Sequence, residues 1–225
     1  MSRVFLVRHG QAAFGTDDYD RLTATGIAQC RQLASHWRAI GRGVDRVYSG
    51  TLRRQRESAE TFARAIAATG ADATPVRLVP GFEEYDHRGL LTAMETAAGA
   101  PATSLEPQAF HRQLAAALRA WAAGELQGVE PYPVFRDRCA AALAALLKDI
   151  GRGSSAVLFG SAGSLAAAMQ PVLGLGDREL LRWKLCFYNS GVSSLLFDDE
   201  AITIETVNAI SHLERPEFTH LITHR

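Results

Sequence analysis

Arg8, His9 and Gly10 follow directly on the apolar run Val4-Phe5-Leu6-Val7. Arginine offers a planar fork of donors that matches a phosphate and stays charged at any working pH. Histidine near neutrality attacks phosphorus as the neutral imidazole, or shuttles a proton. Taken alone, the triplet reads equally as a strand end followed by a hydrogen-bonded turn residue. A second basic pair, Arg53 and Arg54, comes after Tyr48-Ser49-Gly50-Thr51-Leu52 and opens a stretch with Glu57 and Glu60. A helix N-terminus attracts anions through its unpaired amides and its dipole, so arginines there await a negative partner. Glu57 and Glu60, at helical spacing, equally account for a neutralised surface face. Glu83 and Glu84 are two adjacent carboxyl groups further along the chain. Positive neighbours lower a carboxyl pKa, so a general acid beside arginines must gain its proton from burial or from the substrate's own charge.

The elements that position these residues alternate. Ser2 to Val7 reads as a strand, and Thr23 caps a helix whose Ile27, Cys30, Leu33 and Trp37 recur at helical spacing. Val44 to Tyr48 is a second strand, Leu52 to Ala68 a helix, and Pro75 to Val79 a short third strand before the Pro80-Gly81 turn. From about 89 to 130 alanine dominates, strand signals vanish, and Pro101 and Pro107 break the run, which predicts a helical insertion able to cap a site. Pro133 suits the first turn of a helix in which Phe135, Cys139, Ala142, Leu146 and Ile150 share one face. Ala156 to Phe159 is a fourth strand running into Gly160-Ser161-Ala162-Gly163, and a helix spans about Leu165 to Leu173. Val192 to Phe197 and Ile202 to Val207 are two further strands with the pattern of a hairpin. This alternation predicts an α/β fold with a mostly parallel central sheet. The strand end at Arg8 then lies on the sheet edge where such folds bind ligands.

The chain has 225 residues, 47% hydrophobic and 21% charged, with a formal net charge of zero. That suits a single globular domain over 1–225 and argues against a polyanion-binding surface, so no nucleic-acid partner is expected. No apolar stretch reaches the length of a membrane span, and Met1-Ser2-Arg3 enters a strand without a leader pattern. Three irregularly spaced cysteines, Cys30, Cys139 and Cys186, read as small core residues in a reducing compartment, so a cytoplasmic location is expected.

The ordered motifs resemble the histidine phosphatase superfamily, whose fold is shared with cofactor-dependent phosphoglycerate mutases. The matching segments are Leu6-Val7-Arg8-His9-Gly10-Gln11-Ala12, then Leu22-Thr23 with Gly26 and Gln29. Tyr48-Ser49 with Leu52-Arg53-Arg54 and Glu57-Ser58-Ala59-Glu60 follow, then Phe82-Glu83-Glu84-Tyr85-Asp86-His87. Val207-Asn208 with Ser211-His212-Leu213 completes the set. The Glu-Tyr-Asp-His form of the acidic segment and the tail resemble a bacterial subgroup. The resemblance implies a three-layer α/β/α fold with a helical insertion. It also implies that His9 takes the phosphoryl group, that Arg8 and Arg54 clamp its oxygens, and that Glu84 rather than Glu83 is the general acid and base. Gln11 and His87 enter as candidate phosphate or substrate ligands. The family's second histidine is absent. Ser161 stands in its place, with the amides from Ala162 onward as a small anion nest and the Ala162 methyl as a source of crowding.

The resulting expectation is a metal-independent phosphomonoesterase working through a phosphohistidine, without cofactor, on a small phosphorylated substrate. Homo-oligomers are compatible with it. A catalytically weak phospholigand-binding or interaction protein is the first alternative and a phosphoglycerate-type mutase the second. His9 and Glu84 together oppose the first, since a binder needs neither nucleophile nor acid. The missing histidine opposes the second, since a mutase needs more positive charge. No metal site is expected. His220 and His224 lack acidic or cysteine partners, and Asp17, Asp18 and Asp20 lack the glycine and glutamate of a calcium loop. Tyr19 reads as a rim residue able to touch substrate, and His212 as a donor or a structural histidine. Arg88 and Arg112 read as surface, and Trp37, Trp121 and Trp183 as core or interface anchors.

Overall fold

The computed structural model describes residues 1–16, 18–67, 70–98 and 107–224. Six strands form one sheet: β1 (Ser2–Arg8), β2 (Arg46–Ser49), β3 (Val76–Leu78), β4 (Ser155–Gly160), β5 (Val192–Phe197) and β6 (Ile202–Ala209). Their order is β3-β2-β4-β1-β5-β6. The first four are mutually parallel, and β5 and β6 add antiparallel at one side. The helices are α1 (Ala24–Ala39), α2 (Arg53–Ile66), α3 (His87–Ala98), α4 (Pro107–Ala122), α5 (Tyr132–Ile150), α6 (Ala162–Leu173) and α7 (Asp177–Trp183).

The apolar runs of β1 and β4 are strands buried on both faces. Alternate side chains point to opposite sides of a sheet. Phe5, Val7, Val157 and Phe159 accordingly pack with Cys30, Leu33 and Trp37 of α1 and Phe62 of α2. Val4, Leu6 and Leu158 pack with Trp121 of α4, Phe135 and Leu146 of α5, and Leu165 and Met169 of α6. Helices thus cover both faces, giving the three-layer α/β/α arrangement with its mostly parallel sheet. β1 and β4 run in register from Arg3–Ser155 to Arg8–Gly160, so their C-terminal ends deliver Arg8 and Ser161 side by side.

Thr23 caps α1 as expected, its hydroxyl accepting from the Gly26 amide at 3.1 Å. The expected shared face of α5 is buried from Phe135 through Ile150. Other boundaries differ. α6 begins at Ala162 rather than near Leu165, because Ser161 in extended conformation is its N-cap and its carbonyl accepts from the Leu165 amide at 2.9 Å. The Ser161-Ala162-Gly163-Ser164 stretch, poor in helix formers, hides that first turn. α7 and the 3-10 turn Lys184–Cys186 were not expected from the sequence, since seven residues are too few to show a helical period. That turn also leaves Cys186 exposed, whereas Cys30 and Cys139 are core residues. In the alanine-rich stretch α3 starts at His87 and α4 ends at Ala122. Asp17, Ala68 and Pro101 lie outside the described residues.

Candidate functional site

Beyond Arg8 the chain must turn sharply, and Gly10 lets it do so against the start of α1. A Cβ at Gly10 would lie 2.4 Å from the Gly26 carbonyl oxygen. The Gly10 amide donates to Ser58 Oγ at 3.0 Å, and the Gln11 amide to Gln29 Oε1 at 2.8 Å. Thr23, Gly26, Gln29 and Ser58 of the sequence motifs therefore hold backbone in place.

This loop presents His9 to a cavity of about 220 Å³ lined also by Arg8, Arg54, Glu84, His87 and Ala162. His9 is only 4% exposed. Its Nδ1 lies 2.7 Å from the Gly10 carbonyl oxygen, and Arg54 Nε lies 3.2 Å from its Nε2. A carbonyl only accepts, so Nδ1 carries the proton and Nε2 keeps its lone pair toward Arg54. Burial, then Arg54 and Arg8, holds the His9 pKa well below the usual histidine range, leaving a neutral imidazole.

Arg54 is 6% exposed and held from three sides. Its Nη1 donates to Asp20 Oδ1 at 2.6 Å, its Nε faces His9, and its guanidinium lies 5.1 Å from the Tyr19 ring centre. Asp20 also accepts from the Arg53 amide at 2.8 Å. The anion expected at the start of α2 is thus supplied from within, by a loop aspartate. Arg53 turns outward to Asp18 and Glu57. Arg8 Nη1 donates to the carbonyls of Phe187 and, at 3.0 Å, of His224, while its buried Nε has no partner among the described residues. Burial lowers the Arg8 guanidinium from its usual value, with Tyr19 and Glu84 acting the other way.

The two glutamates part company. Glu84 enters the cavity, its Oε2 accepting from the Gly163 amide at 2.8 Å. Glu83 faces away, accepting from Thr51 Oγ1 at 2.6 Å, the Gly81 amide at 2.7 Å and Arg138. Burial pushes Glu83 up, but these donors hold it below the ordinary carboxylate range. The α6 N-terminus, expected to form an anion nest, is met by the Glu84 carboxylate itself.

Ser161 and Gln11 are not brought into the cavity lining. Ser161 is 1% exposed and its Oγ accepts from Gln55 Nε2 at 2.9 Å. Gln11 Oε1 accepts from Thr23 Oγ1 at 2.8 Å. Ala162 and His87 do line the cavity, and burial lowers the His87 pKa, with Arg54 and Arg88 acting in the same direction. His212 lies behind the site, its Nε2 2.8 Å from Ser190 Oγ, and Ser190 in turn donates its amide to the Arg8 carbonyl.

Tyr19, read from the sequence as a rim residue, lines the cavity, and several other wall residues carry no sequence signal of their own. Phe14, Tyr19, Phe110 and Leu114 form an apolar rim, with Phe14 packed edge-on against Tyr19 and Phe110. Lys184 and Leu185 come from the 3-10 turn after α7, and His224 from the C-terminal segment, which Gln29 and Asn189 tie down. Among the described residues, no group of three or more metal-ligating side chains occurs, and no helix is long and apolar enough to cross a membrane.

The model of the histidine phosphatase superfamily (branch 1) matches residues 4–210. The chain belongs to that family. Solved structures agree with this placement in fold. A phosphoserine phosphatase mutant from Entamoeba histolytica, in complex with phosphoserine, superposes with a TM-score of 0.65 at 18% identity, covering 95% of this chain and 100% of that one. Bacillus stearothermophilus YhfR gives 0.69 at 16%, with the same coverages. The alpha-ribazole phosphatase from Shigella flexneri gives 0.65 at 18%, covering 92% of this chain and 96% of that one. At such identities the likeness is one of fold. A comparison with curated proteins finds no match. The family match spans the segments that carry Arg8, His9, Arg54 and Glu84, and leaves the C-terminal segment with His224 outside.

Proposed function

We propose that the chain is a metal-independent phosphomonoesterase acting through a phosphohistidine on His9. One observation carries the reading: a neutral His9, with Nδ1 protonated and tied to Gly10, keeps its Nε2 lone pair in a cavity that also holds Arg8, Arg54 and Glu84. Phosphoryl transfer needs charge neutralisation and in-line positioning more than elaborate covalent chemistry. Arg8 and Arg54 provide the first, and the fixed imidazole provides the second. Nε2 forms a bond to phosphorus while the ester P–O bond breaks, and the leaving alkoxide takes a proton from Glu84. Water then gives its proton to Glu84 and attacks the phosphorus. The N–P bond breaks to release phosphate and restore the Nε2 lone pair.

The phosphatases among the fold neighbours support the reaction class, and the 220 Å³ cavity supports a small substrate. Phe14, Phe110 and Leu114 at the rim favour a leaving group with an apolar face over a second phosphate, which argues against a mutase. On this reading the chain acts as one domain, with α3 and α4 supplying part of the rim. The three free cysteines fit a cytoplasmic setting. Ser161, buried on Gln55, favours a second reading as a weak enzyme or phospholigand binder, because the position of the family's second histidine brings no cationic donor into the cavity.

Phosphate release from a panel of phosphomonoesters, with chelator present, tests the proposal. The expected result is turnover by the native chain and none by a folded His9→Ala variant. Turnover that survives His9→Ala removes the covalent mechanism. No release from any ester by a folded native chain moves the weight to the binding reading.

A further inference from the structure

Lys184 is 4% exposed and lines the His9 cavity. Its Nζ donates to the Tyr85 hydroxyl at 2.5 Å and lies 4.3 Å from the centre of that ring. An ammonium has three protons to donate. Among the described residues Tyr85 is its one hydrogen-bond partner, and no carboxylate oxygen lies within 4.0 Å. Tyr85 brings no charge, because burial holds its phenol well above the usual value. A buried cation without an anion is costly, and Lys184 lines the cavity with no anion of the described residues paired to it. Arg8, whose buried Nε has no partner among the described residues, lines the same cavity.

We propose that Lys184 is a third cation on the phosphoryl group, supplying the positive charge that Ser161 does not bring. The inference rests on the phosphatase reading of the site. Its position separates it from a ligand of the leaving group. Lys184 stands in the buried wall beside Arg8 and Glu84, whereas the outer rim is apolar and exposed at Phe14. Three elements bring charged or titratable groups toward it: Arg8 from β1, Glu84 and Tyr85 from the segment between β3 and α3, and His224 from the C-terminal segment. On its own segment Arg182 and Cys186 are exposed. Burial lowers the Lys184 pKa to about 8, with Glu84 raising it and Arg8 lowering it. The group is therefore charged near neutrality and loses its charge in mild alkali, which gives the role a signature that packing alone does not have.

The test is calorimetric titration of the full chain with inorganic phosphate across neutral and alkaline pH, comparing the native chain with Lys184→Met and Lys184→Arg. Turnover of a simple aryl phosphate, with His9→Ala as control, runs in parallel. Lys184→Met is expected to weaken phosphate binding at least about tenfold, the scale of one lost hydrogen bond between charged groups. Native affinity is expected to fall as pH rises through about 8, and Lys184→Arg to keep its affinity there. Native-like phosphate affinity and pH dependence in Lys184→Met overturn the proposal. If Lys184→Met does not fold, a native alkaline fall that persists in Lys184→Arg overturns it equally. Native phosphate binding that needs Lys184 without any His9-dependent turnover supports this role and rejects the phosphatase reading. His9-dependent turnover with phosphate binding indifferent to Lys184 does the reverse.

Discussion

The Gly163 amide donates to Glu84 Oε2 at 2.8 Å, and the space where a Gly163 side chain would begin is filled by the other oxygen of the same carboxylate. An ideal Cβ there would lie 2.2 Å from Glu84 Oε1 and 2.8 Å from Tyr85 Cε1. Glycine at this point on α6 is what allows the helix N-terminus to hold a carboxylate against the His9 cavity. The contact joins the acidic segment to the strand–helix junction after β4, and so sets where the proposed proton donor stands.

Gly163→Ala should therefore damage catalysis while leaving the fold intact. Alanine is the better helix former by about 1 kcal/mol, so no loss of thermal stability is expected from helix propensity. Displacing the carboxylate should lower kcat by about a hundredfold, the low end of the range for general acid–base assistance, with a smaller change in KM. Steady-state kinetics beside a thermal melt check this. An unchanged kcat in a folded variant would remove Glu84 from proton transfer.

Much of this site is legible in the sequence because it is local. Arg8 and His9 sit at a strand end announced by four apolar residues, and Arg54 at a helix start announced by Gly50-Thr51. Glu84 and Glu83 are adjacent; in the sequence only the family resemblance favours Glu84, and the fold places Glu84 in the cavity lining. Ser161 illustrates the opposite failure. Its place after β4 is readable, but its burial against Gln55 depends on a residue 106 positions away. Lys184 escapes notice for the same reason, since nothing in Arg182-Trp183-Lys184 signals that the turn after a short helix will bury its first residue. Asp20 lies in a loop that reads as solvated, and its role as the anion for Arg54 comes from two elements meeting.

Stability should fall with acid through His212, which is 2% exposed and hydrogen-bonded to Ser190. Burial, with a smaller contribution from His36, lowers its pKa to about 3. The unfolded chain takes up a proton near the ordinary histidine value while the folded chain does not. Stability is therefore complete above that value and is lost as pH falls below it. Between the ordinary value and pH 5 the loss is roughly 2 kcal/mol for this one group, and His9 acts in the same direction. Urea unfolding at pH 7 and pH 5 should show a smaller loss in His212→Gln than in the native chain. Equal losses in both would mean that other groups set the acid sensitivity.

Ser161→His puts an imidazole where the family's second histidine stands, and on sequence grounds it raises activity if the site is merely short of a donor. The geometry points the other way. Ser161 is 1% exposed, its Oγ accepts from Gln55 Nε2, and that same nitrogen donates to the Phe82 carbonyl at 2.9 Å. An imidazole there must push Gln55 aside or turn into the cavity past Ala162. Overpacking a filled site costs about 1–3 kcal/mol, so a lowered melting temperature is expected. No gain in kcat/KM should accompany it, because Lys184 already supplies the charge on that side. A folded Ser161→His variant with raised kcat/KM, and a still larger rise when combined with Lys184→Met, would show that the cavity accepts the imidazole and that the lysine is not its substitute.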